Sequence, residues 1–235
     1  MSFTIGCDPE LVCFRNGVYT PAHHYFKQRS SFGLDGNESI AEVRPGYSES
    51  PIDVTAKIKT ILEYGHEKAP ELEFFSGHYQ ADFATGGHIH VSTAPTPEII
   101  DALDIVLYSL SNCIDDRGQR KKREKTGYGR RKSYRSKEYG FEFRTPGSWL
   151  LSPSTTLVTL SLAKLAVLGV KEDKLNFEQI KCRQHSHTFL KNLKNELKTI
   201  PEDCREGLKE LDLLLAHEPL NWNANILPNW GICMN

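Results

Sequence analysis

The fold of this chain is most tightly constrained by four short segments in which two ionisable residues flank a single central residue. They are Asp8-Pro9-Glu10, Glu42-Val43-Arg44, His88-Ile89-His90 and Glu142-Phe143-Arg144. Because successive side chains of a β-strand alternate between faces, each pair projects to one side of its strand. An antiparallel sheet with one solvated face also alternates in this way, but such a face favours Lys, Thr and Ser. The recurrence of carboxylates and histidines therefore indicates one sheet face that binds metal ions and phosphate.

Composition places the chain among ordinary soluble proteins. It has 235 residues, 39% hydrophobic and 25% charged, which allows a substantial core in one domain. We find no apolar run near the roughly 20 residues that span a bilayer, and no signal-like start. The six cysteines lack any C-x-x-C spacing and are expected to be reduced and mostly structural. We therefore expect a cytoplasmic protein without membrane contact.

Strand-like and helix-like patterns alternate along the chain, which predicts an α+β protein. Pro9 cannot donate a hydrogen bond to a strand ladder, so the first strand is expected at a sheet edge or beside a bulge. Residues 221–230 resemble an aromatic strap that closes the core. Strands are predicted around His88 and Glu142 and over residues 3–14 and 39–44. Helices are predicted over residues 50–68, 96–113, 177–197 and 202–216, and another is predicted to begin at residue 152.

The middle of the chain is strongly basic. Residues 117–144 hold twelve Lys or Arg against three acids, although the whole chain has a net charge of only −1. Residues 117–133 are the only candidate for a long loop, and such loops are usually functional or mobile. The basic charges of residues 117–137 suit either nucleic acid or a loop that closes over ATP. Tyr128 and Tyr134 could stack on a base or simply pack.

The residue types of the polar face point to divalent cations and phosphate. Hard cations such as Mg²⁺ and Mn²⁺ prefer carboxylate oxygens and often share them with substrate phosphates. An imidazole suits Mn²⁺ better than Mg²⁺, and two histidines without cysteine do not make a structural zinc site. Arg44 and Arg144 each lie beside a carboxylate and can hold a phosphate or carboxylate bidentately. The candidate ligands are Asp8, Glu10, Asp35, Glu42, His88 and Glu142, enough for two or more ions.

These motifs, in this order, resemble those of a known family. The matching segments are Gly6 to Glu10, Asp35 with Glu42 seven residues later, Glu42 to Pro45, Gly86 to Val91, and Tyr134-Arg135 followed by Tyr139 to Arg144. Over about residues 3–150 the chain is similar to the carboxylate-amine ligases, in particular the phage-encoded type 2 amidoligases. That group is related to glutamate-cysteine ligase and glutamine synthetase.

The resemblance implies a glutamine synthetase/guanido kinase-like catalytic domain with a mainly antiparallel, curved sheet and helices on its outer face. Residues 1–170 would form that domain, and residues 171–235 a helical segment and aromatic tail packed on it. The implied reaction joins a carboxylate to an amine. ATP would first phosphorylate the carboxylate, and the amine would then attack the acyl phosphate. The carboxylate and amine could be small molecules or peptides.

Residue roles follow from the resemblance position by position. One ion would be held by Glu10, Asp35 and Glu42, with Glu38 as a substitute for Asp35, and the other by Asp8, His88 and Glu142. Arg144 would contact the transferred phosphoryl group, and Arg135 a nucleotide phosphate. Apart from the resemblance, Arg44 is a further catalytic candidate because it lies beside Glu42, and Arg130 and Arg131 of the basic segment are candidates to bind the nucleotide. His90 would orient nucleotide or substrate, or merely pack.

Three other functions stay open at this point. A guanidino-kinase-like phosphotransferase uses similar arginines but needs fewer metal carboxylates than this face offers. A two-metal hydrolase does not explain an arginine beside each glutamate. The basic segment alone would suit a nucleic-acid-binding protein.

Overall fold

The computed structural model describes residues 3–36, 38–181, 184–216 and 219–233. Within them the secondary structure is mixed, with antiparallel strands and α-helices interleaved along the chain, which confirms the predicted α+β class. The strands are β1 (Ile5–Arg15), β2 (Val18–Tyr19), β3 (Phe32–Leu34), β4 (Ala41–Val43), β5 (Tyr47–Ser48), β6 (Glu73–Phe75), β7 (Tyr79–Gln80), β8 (Phe83–Ala84), β9 (Gly87–Val91), β10 (Tyr134–Lys137) and β11 (Gly140–Phe143). The helices are α1 (Pro51–Lys68), α2 (Pro97–Ile114), α3 (Arg117–Thr126), α4 (Pro153–Lys171), α5 (Phe177–Lys181), α6 (Ser186–Glu196) and α7 (Glu202–Ala216).

One antiparallel sheet positions the candidate site. Its main path runs β10-β11-β9-β1-β4-β3, and β2, β5 and β6 also pair with β1. Strands β7 and β8 form a separate hairpin. All four polar pairs of the sequence therefore lie on or directly beside four neighbouring strands, β11, β9, β1 and β4.

Of the two settings predicted for Pro9, a sheet edge or a bulge, the edge is wrong, because β1 is a central strand. Glu10 is paired with Glu42 of β4, whereas Gly6 is paired with Tyr47 of β5. Residues 42 and 47 are five positions apart along the chain, whereas their pairing partners, residues 10 and 6, are only four positions apart. This one-residue bulge on the partner side interrupts the ladder opposite Pro9, where its missing N–H costs no hydrogen bond.

The helices cover the apolar face of the sheet. Ile89, Phe143 and Leu11 belong to one hydrophobic cluster with residues of α1, α2 and α4. Prolines at the first positions of these three helices and side-chain caps from Ser50, Thr96 and Ser152 define where they begin. The opposite face of the sheet is left to the polar pairs.

Helix α4 is the most apolar element of the core. By length and composition it is the one helix, among the described residues, that could cross a membrane, although the sequence showed no obvious span. In the fold 72% of that window is buried, as in the core helix of a globular protein. Its role here is to pack against α1, α2 and α7.

Two predicted segments differ from the structure. Residues 117–126 of the expected long loop form helix α3, which Asp116 caps at its start and Gly127, in the left-handed conformation, ends. The pattern over 177–197 contains two helices, α5 and α6, with residues 182 and 183 outside the described part of the chain. The aromatic tail does close the core, because the indole N–H groups of Trp222 and Trp230 donate to backbone carbonyls of Ile114 and Leu150.

Candidate active site on the polar face of the sheet

The sheet register brings the polar pairs together. Asp8 lies opposite His88, and His90 lies opposite Glu142. Directly opposed residues of antiparallel strands share a face, so all these side chains project away from the helices. A pocket of about 690 Å³ lies on this face of the sheet. Of the predicted site residues, the pocket is lined by Asp8, Glu10, Asp35, Glu42, His88, Glu142, Arg135 and Arg144.

Three of these residues form a compact ligand set. Asp8, His88 and Glu142 each offer one atom within 4.8 Å of the others. His88 Nδ1 lies 3.3 Å from Asp8 Oδ1 and 3.5 Å from Glu142 Oε1. Asp8 Oδ1 is buried without a hydrogen-bond partner. Two carboxylates, an imidazole and an orphaned buried oxygen fit a divalent cation such as Mn²⁺ or Mg²⁺.

The other three predicted ligands lie on the β1–β4 side of the pocket. Glu10 and Glu42 are cross-strand partners, and Asp35 lies on the same pocket wall. Glu38 does not line this pocket, and its carboxylate accepts a hydrogen bond from the Gln28 amide. The geometry thus brings Asp35, rather than Glu38, to the site.

Burial gives Glu10 an unusual acidity. Burial raises its pKa to about 7, and the charge of Asp35 adds to the rise, against the lowering effects of His88, the Tyr128 hydroxyl and the Gly86 N–H. The pKa of Asp8 moves the other way. Burial would raise it, but the neighbouring imidazoles of His88 and His90 outweigh this and hold it well below its usual range. At neutral pH the site therefore contains one firmly ionised carboxylate and one that is easily protonated.

Basic side chains gather at Glu142. The Arg144 guanidinium pairs with Oε1, while Lys137 Nζ lies 3.0 Å and Arg135 Nη1 3.7 Å from Oε2. Burial alone would raise the pKa of Glu142, but Lys137 and Arg144 lower it below its ordinary value. This side of the pocket can receive an anion.

Arg44 has a more structural environment than predicted. Its guanidinium pairs with Glu42 and also donates to the carbonyls of Ser30 and Leu34, at 3.1 and 2.6 Å. Gly33 leaves the space for it, since a Cβ there would lie 2.9 Å from Arg44 Nη1. Arg44 thereby fixes Glu42 to the segment before β4.

The pocket that holds Asp8, His88 and Glu142 is called the metal-type pocket. His90 lines a second pocket that adjoins it. Its Nε2 lies 3.1 Å from Asp8 Oδ2, and the Tyr139 hydroxyl lies 3.0 Å from its Nδ1, with the two rings stacked. The adjoining pocket, of about 310 Å³, is lined by Asp8, Arg44 and His90 together with Tyr47 and Tyr139. Cys7 contributes to its lining, but its side chain belongs to the hydrophobic core, and burial raises the pKa of its thiol well above the ordinary value and disfavours a nucleophilic role.

Arg130 and Arg131 do not line the metal-type pocket. They line a third cavity of about 260 Å³, between α2 and α3. Arg131 Nε donates to the buried Asp104 at 2.8 Å, and its guanidinium lies over the Tyr108 ring. Contact of these two arginines with nucleotide phosphates stays a prediction.

Sequence reasoning missed Lys137 and Tyr128, two residues of the pocket that contact its predicted ligands. Lys137 follows Arg135 by two residues, which is the same alternation that revealed the other pairs. Tyr128 was considered only for stacking or packing, yet its hydroxyl lies 2.7 Å from Glu10 Oε1 and 2.8 Å from His88 Nε2. Only the tertiary structure reveals this contact, because Tyr128 is 118 residues from Glu10.

Comparison with known proteins identifies the family of the chain. A solved structure titled as a novel glutamine synthase homolog is 13% identical, covers 92% of this chain and 67% of its own, and has a TM-score of 0.46. No curated protein sequence matches the chain significantly. The family model described as phage phiEco32-like COOH.NH2 ligase-type 2 matches residues 5–221. The chain therefore belongs to this family of carboxylate-amine ligases, as its motifs predicted.

Proposed function

We propose that the protein is an ATP-dependent ligase that joins a carboxylate to an amine through an acyl phosphate. The observation that carries this proposal is the convergence of Asp8, His88 and Glu142 directly beside the Arg144 guanidinium. A carboxylate–imidazole set suits Mg²⁺ or Mn²⁺, and an adjacent arginine suits a transferring phosphoryl group. Family membership supplies the carboxylate and the amine as substrate classes.

The charge distribution of the pocket supports two substrates of opposite charge. One wall carries Lys137, Arg135 and Arg144, and the other carries Glu10, Asp35 and Glu42. The basic wall suits the phosphoryl group and the substrate carboxylate. The acidic wall suits an amine, which arrives as an ammonium ion.

In the proposed reaction a substrate carboxylate oxygen attacks the γ-phosphorus of ATP, and the bond to ADP breaks. The ammonium substrate gives up one proton to water, its free amine nitrogen attacks the acyl carbon of the acyl phosphate, phosphate leaves, and a second N–H proton is lost to water. Arg144 and Arg135 donate hydrogen bonds to oxygens that gain negative charge. Bound divalent cations, held by Asp8, His88 and Glu142 and by the acidic wall, would neutralise part of that charge.

We place the nucleotide base in the adjoining pocket. It shares Asp8 with the metal-type pocket, so phosphates can reach the ligand set while the base lies outside it. The rings of Tyr47 and Tyr139 are 71% and 47% exposed, which leaves flat aromatic surface for a base.

Calorimetric titration of ATP tests the nucleotide and metal parts of this proposal. We expect ATP to bind in the presence of Mn²⁺ and not in EDTA, and Glu142→Gln to abolish that binding. Glu138→Gln is the matched control, because Glu138 is exposed on the turn of the same β10–β11 hairpin. Equal binding by wild type and Glu142→Gln would contradict the site assignment.

Phosphate release tests the reaction itself. Pools of N-acetylated amino acids and dipeptides would provide carboxylates that carry no free α-amine, and pools of amines would provide acceptors. A ligase releases phosphate only when both pools are present. Release without any amine would indicate a hydrolase, and phosphorylation of a guanidine compound would indicate a guanidino kinase.

A further inference from the structure

We propose that Tyr128 is a positioning residue that fixes the proton of His88 on Nε2 and so directs the lone pair of Nδ1 toward the metal site. The inference deepens the proposed function and rests on its metal site. Tyr128 contacts the ligands and not the reacting groups.

The hydrogen-bond chemistry of the Tyr128 hydroxyl leads to this assignment. It lies 2.7 Å from Glu10 Oε1 and 2.8 Å from His88 Nε2. As a cation ligand Glu10 must be ionised, and an ionised carboxylate can only accept, so the single hydroxyl proton is donated to Glu10. The hydroxyl oxygen is then left to accept from His88, which requires the proton on Nε2. In the neutral ring Nδ1 is consequently unprotonated, and it is this atom that lies near Asp8 and Glu142.

The segment that carries Tyr128 is firmly anchored rather than a mobile loop. Asp104, fully buried in α2, accepts hydrogen bonds from Arg131 Nε at 2.8 Å and from the Lys132 backbone N–H at 2.9 Å. These bonds hold the chain directly after Tyr128. A buried carboxylate with charged and backbone donors makes a strong fixed attachment.

A second anchor lies beneath the tyrosine ring. The buried guanidinium of Arg123 donates to the carbonyls of Thr145 and Pro146, at 2.7 and 2.8 Å, and lies 4.9 Å from the centre of the Tyr128 ring. Gly129 has a φ of +65°, and a Cβ there would collide with the Arg123 guanidinium. The hydroxyl position is thus set by α2, by α3 and by the chain that follows β11.

Manganese binding separates this role from simple packing. Phenylalanine fills the same space without the hydroxyl, so Tyr128→Phe should preserve the fold. We expect it to weaken Mn²⁺ binding about 10- to 100-fold, as is typical when a partner of a metal-ligating histidine is lost. Binding would be measured without ATP, from the electron paramagnetic resonance signal of free Mn²⁺. Circular dichroism and thermal unfolding would verify the fold.

Three further variants complete the test. Tyr64→Phe, an exposed tyrosine on α1, should bind Mn²⁺ like the wild type. Asp104→Asn should weaken binding through release of the anchored segment, and adding Tyr128→Phe should then cost much less than it does alone. A Tyr128→Phe affinity within twofold of wild type would overturn the proposal. If Glu142→Gln also bound like the wild type, the metal site and the proposed function would fail with it, whereas loss in Glu142→Gln alone would refute only the role of Tyr128.

Discussion

At the scale of single residues, the fold shifts the pKa values of two carboxyl groups on β1, only two positions apart, in opposite directions. Asp8 faces two imidazoles that stabilise its charge, whereas Glu10 is 1% exposed and shares its surroundings with Asp35. Titratable groups that are driven apart in this way are typical of catalytic sites. Without a bound cation, burial strongly disfavours the ionised form of Glu10.

The raised pKa of Glu10 predicts a pH-dependent stability. Its pKa is raised from an ordinary 4.5 to about 7, so between these values the folded state binds more protons than the unfolded state. The contribution of Glu10 is therefore fully present below about pH 4.5 and is lost as pH rises through about 7. At about 1.36 kcal/mol for each pH unit between about 4.5 and 7, the total loss is at most about 3–4 kcal/mol. Urea unfolding in EDTA at pH 5.5 and pH 8 would measure the part above pH 5.5, about 2 kcal/mol.

Variants and metal provide the controls for this pH effect. Glu10→Gln should flatten the dependence between pH 5.5 and 8, and Glu138→Gln should leave it unchanged. Saturating Mn²⁺ should restore stability at pH 8, since a cation compensates the ionised carboxylate. A wild-type stability that rises over this range in EDTA would contradict the assignment.

At the scale of elements, helix α3 shows how a highly charged segment is held in the fold. Its sequence has no apolar stripe, but Gln119 is buried and joins three parts of the chain. Gln119 Oε1 accepts from the backbone N–H groups of His78 and Tyr79, at 2.9 and 3.3 Å, and Nε2 donates to Asn223 Oδ1 at 2.9 Å. A single amide thus ties α3 to the β7–β8 hairpin and to the C-terminal tail.

Loss of this amide should destabilise the protein. Gln119→Leu leaves the buried backbone N–H of His78 without its acceptor, which typically costs about 1–3 kcal/mol. The free energy of unfolding in urea is the measurement. Lys121→Ala, an exposed change on the same helix, should stay within about 0.5 kcal/mol of wild type. Equal effects of the two variants would show that α3 is not held through Gln119.

The close approach of β1 and β5 gives a second prediction for the elements. A Cβ at Gly6 would lie 2.5 Å from the carbonyl oxygen of Gly46, beside the pocket proposed for the base. Gly6→Ala should force these strands apart and cost about 1–3 kcal/mol of unfolding free energy. At Gly36 a Cβ meets nothing within 4 Å, so Gly36→Ala is the control. A neutral Gly6→Ala would indicate that β5 shifts freely.

The sequence predicts those features of this architecture that depend on local residue patterns, and not those that depend on strand register or tertiary packing. Alternation around Ile89 and Phe143 revealed both the strands and the polar face, because that pattern is local. Helix α3 escaped because periodicity needs apolar residues, although Asp116 as a cap and Gly127 as a stop were readable signals. The pairing of Asp8 with His88, and the reach of Tyr128 to both β1 and β9, depend on register and tertiary packing, which no local pattern encodes.

At the scale of the whole molecule, the C-terminal helices belong to the same core as the sheet. Phe189 and Leu193 of α6 and Leu211 of α7 are buried in the hydrophobic cluster that also contains Ile89 and Phe143. Helices α6 and α7 cover α2 and α4, which in turn cover the sheet. The family match extends through residue 221 and thus includes these helices.

Removal of the C-terminal segment should therefore prevent independent folding. A chain that ends at Lys171 exposes the apolar surfaces of α2 and α4 that α6 and α7 cover. We expect it to bind 8-anilinonaphthalene-1-sulfonate and to unfold without a cooperative transition, unlike the full chain. A sharp transition in the truncated chain would instead support an autonomous sheet domain over residues 1–170.

The central position of β1 also has a consequence for synthesis of the protein. In the described structure β1 pairs with five other strands, and its neighbour β9 must in turn pair with β11, which ends at Phe143. A ribosome that adds 5–20 residues per second needs on the order of ten seconds to travel from Arg15 to that point. During this interval the first strand made has no complete set of partners. Its Pro9 and the charges of Asp8 and Glu10, two residues of the proposed site, are also features that discourage pairing with other nascent chains.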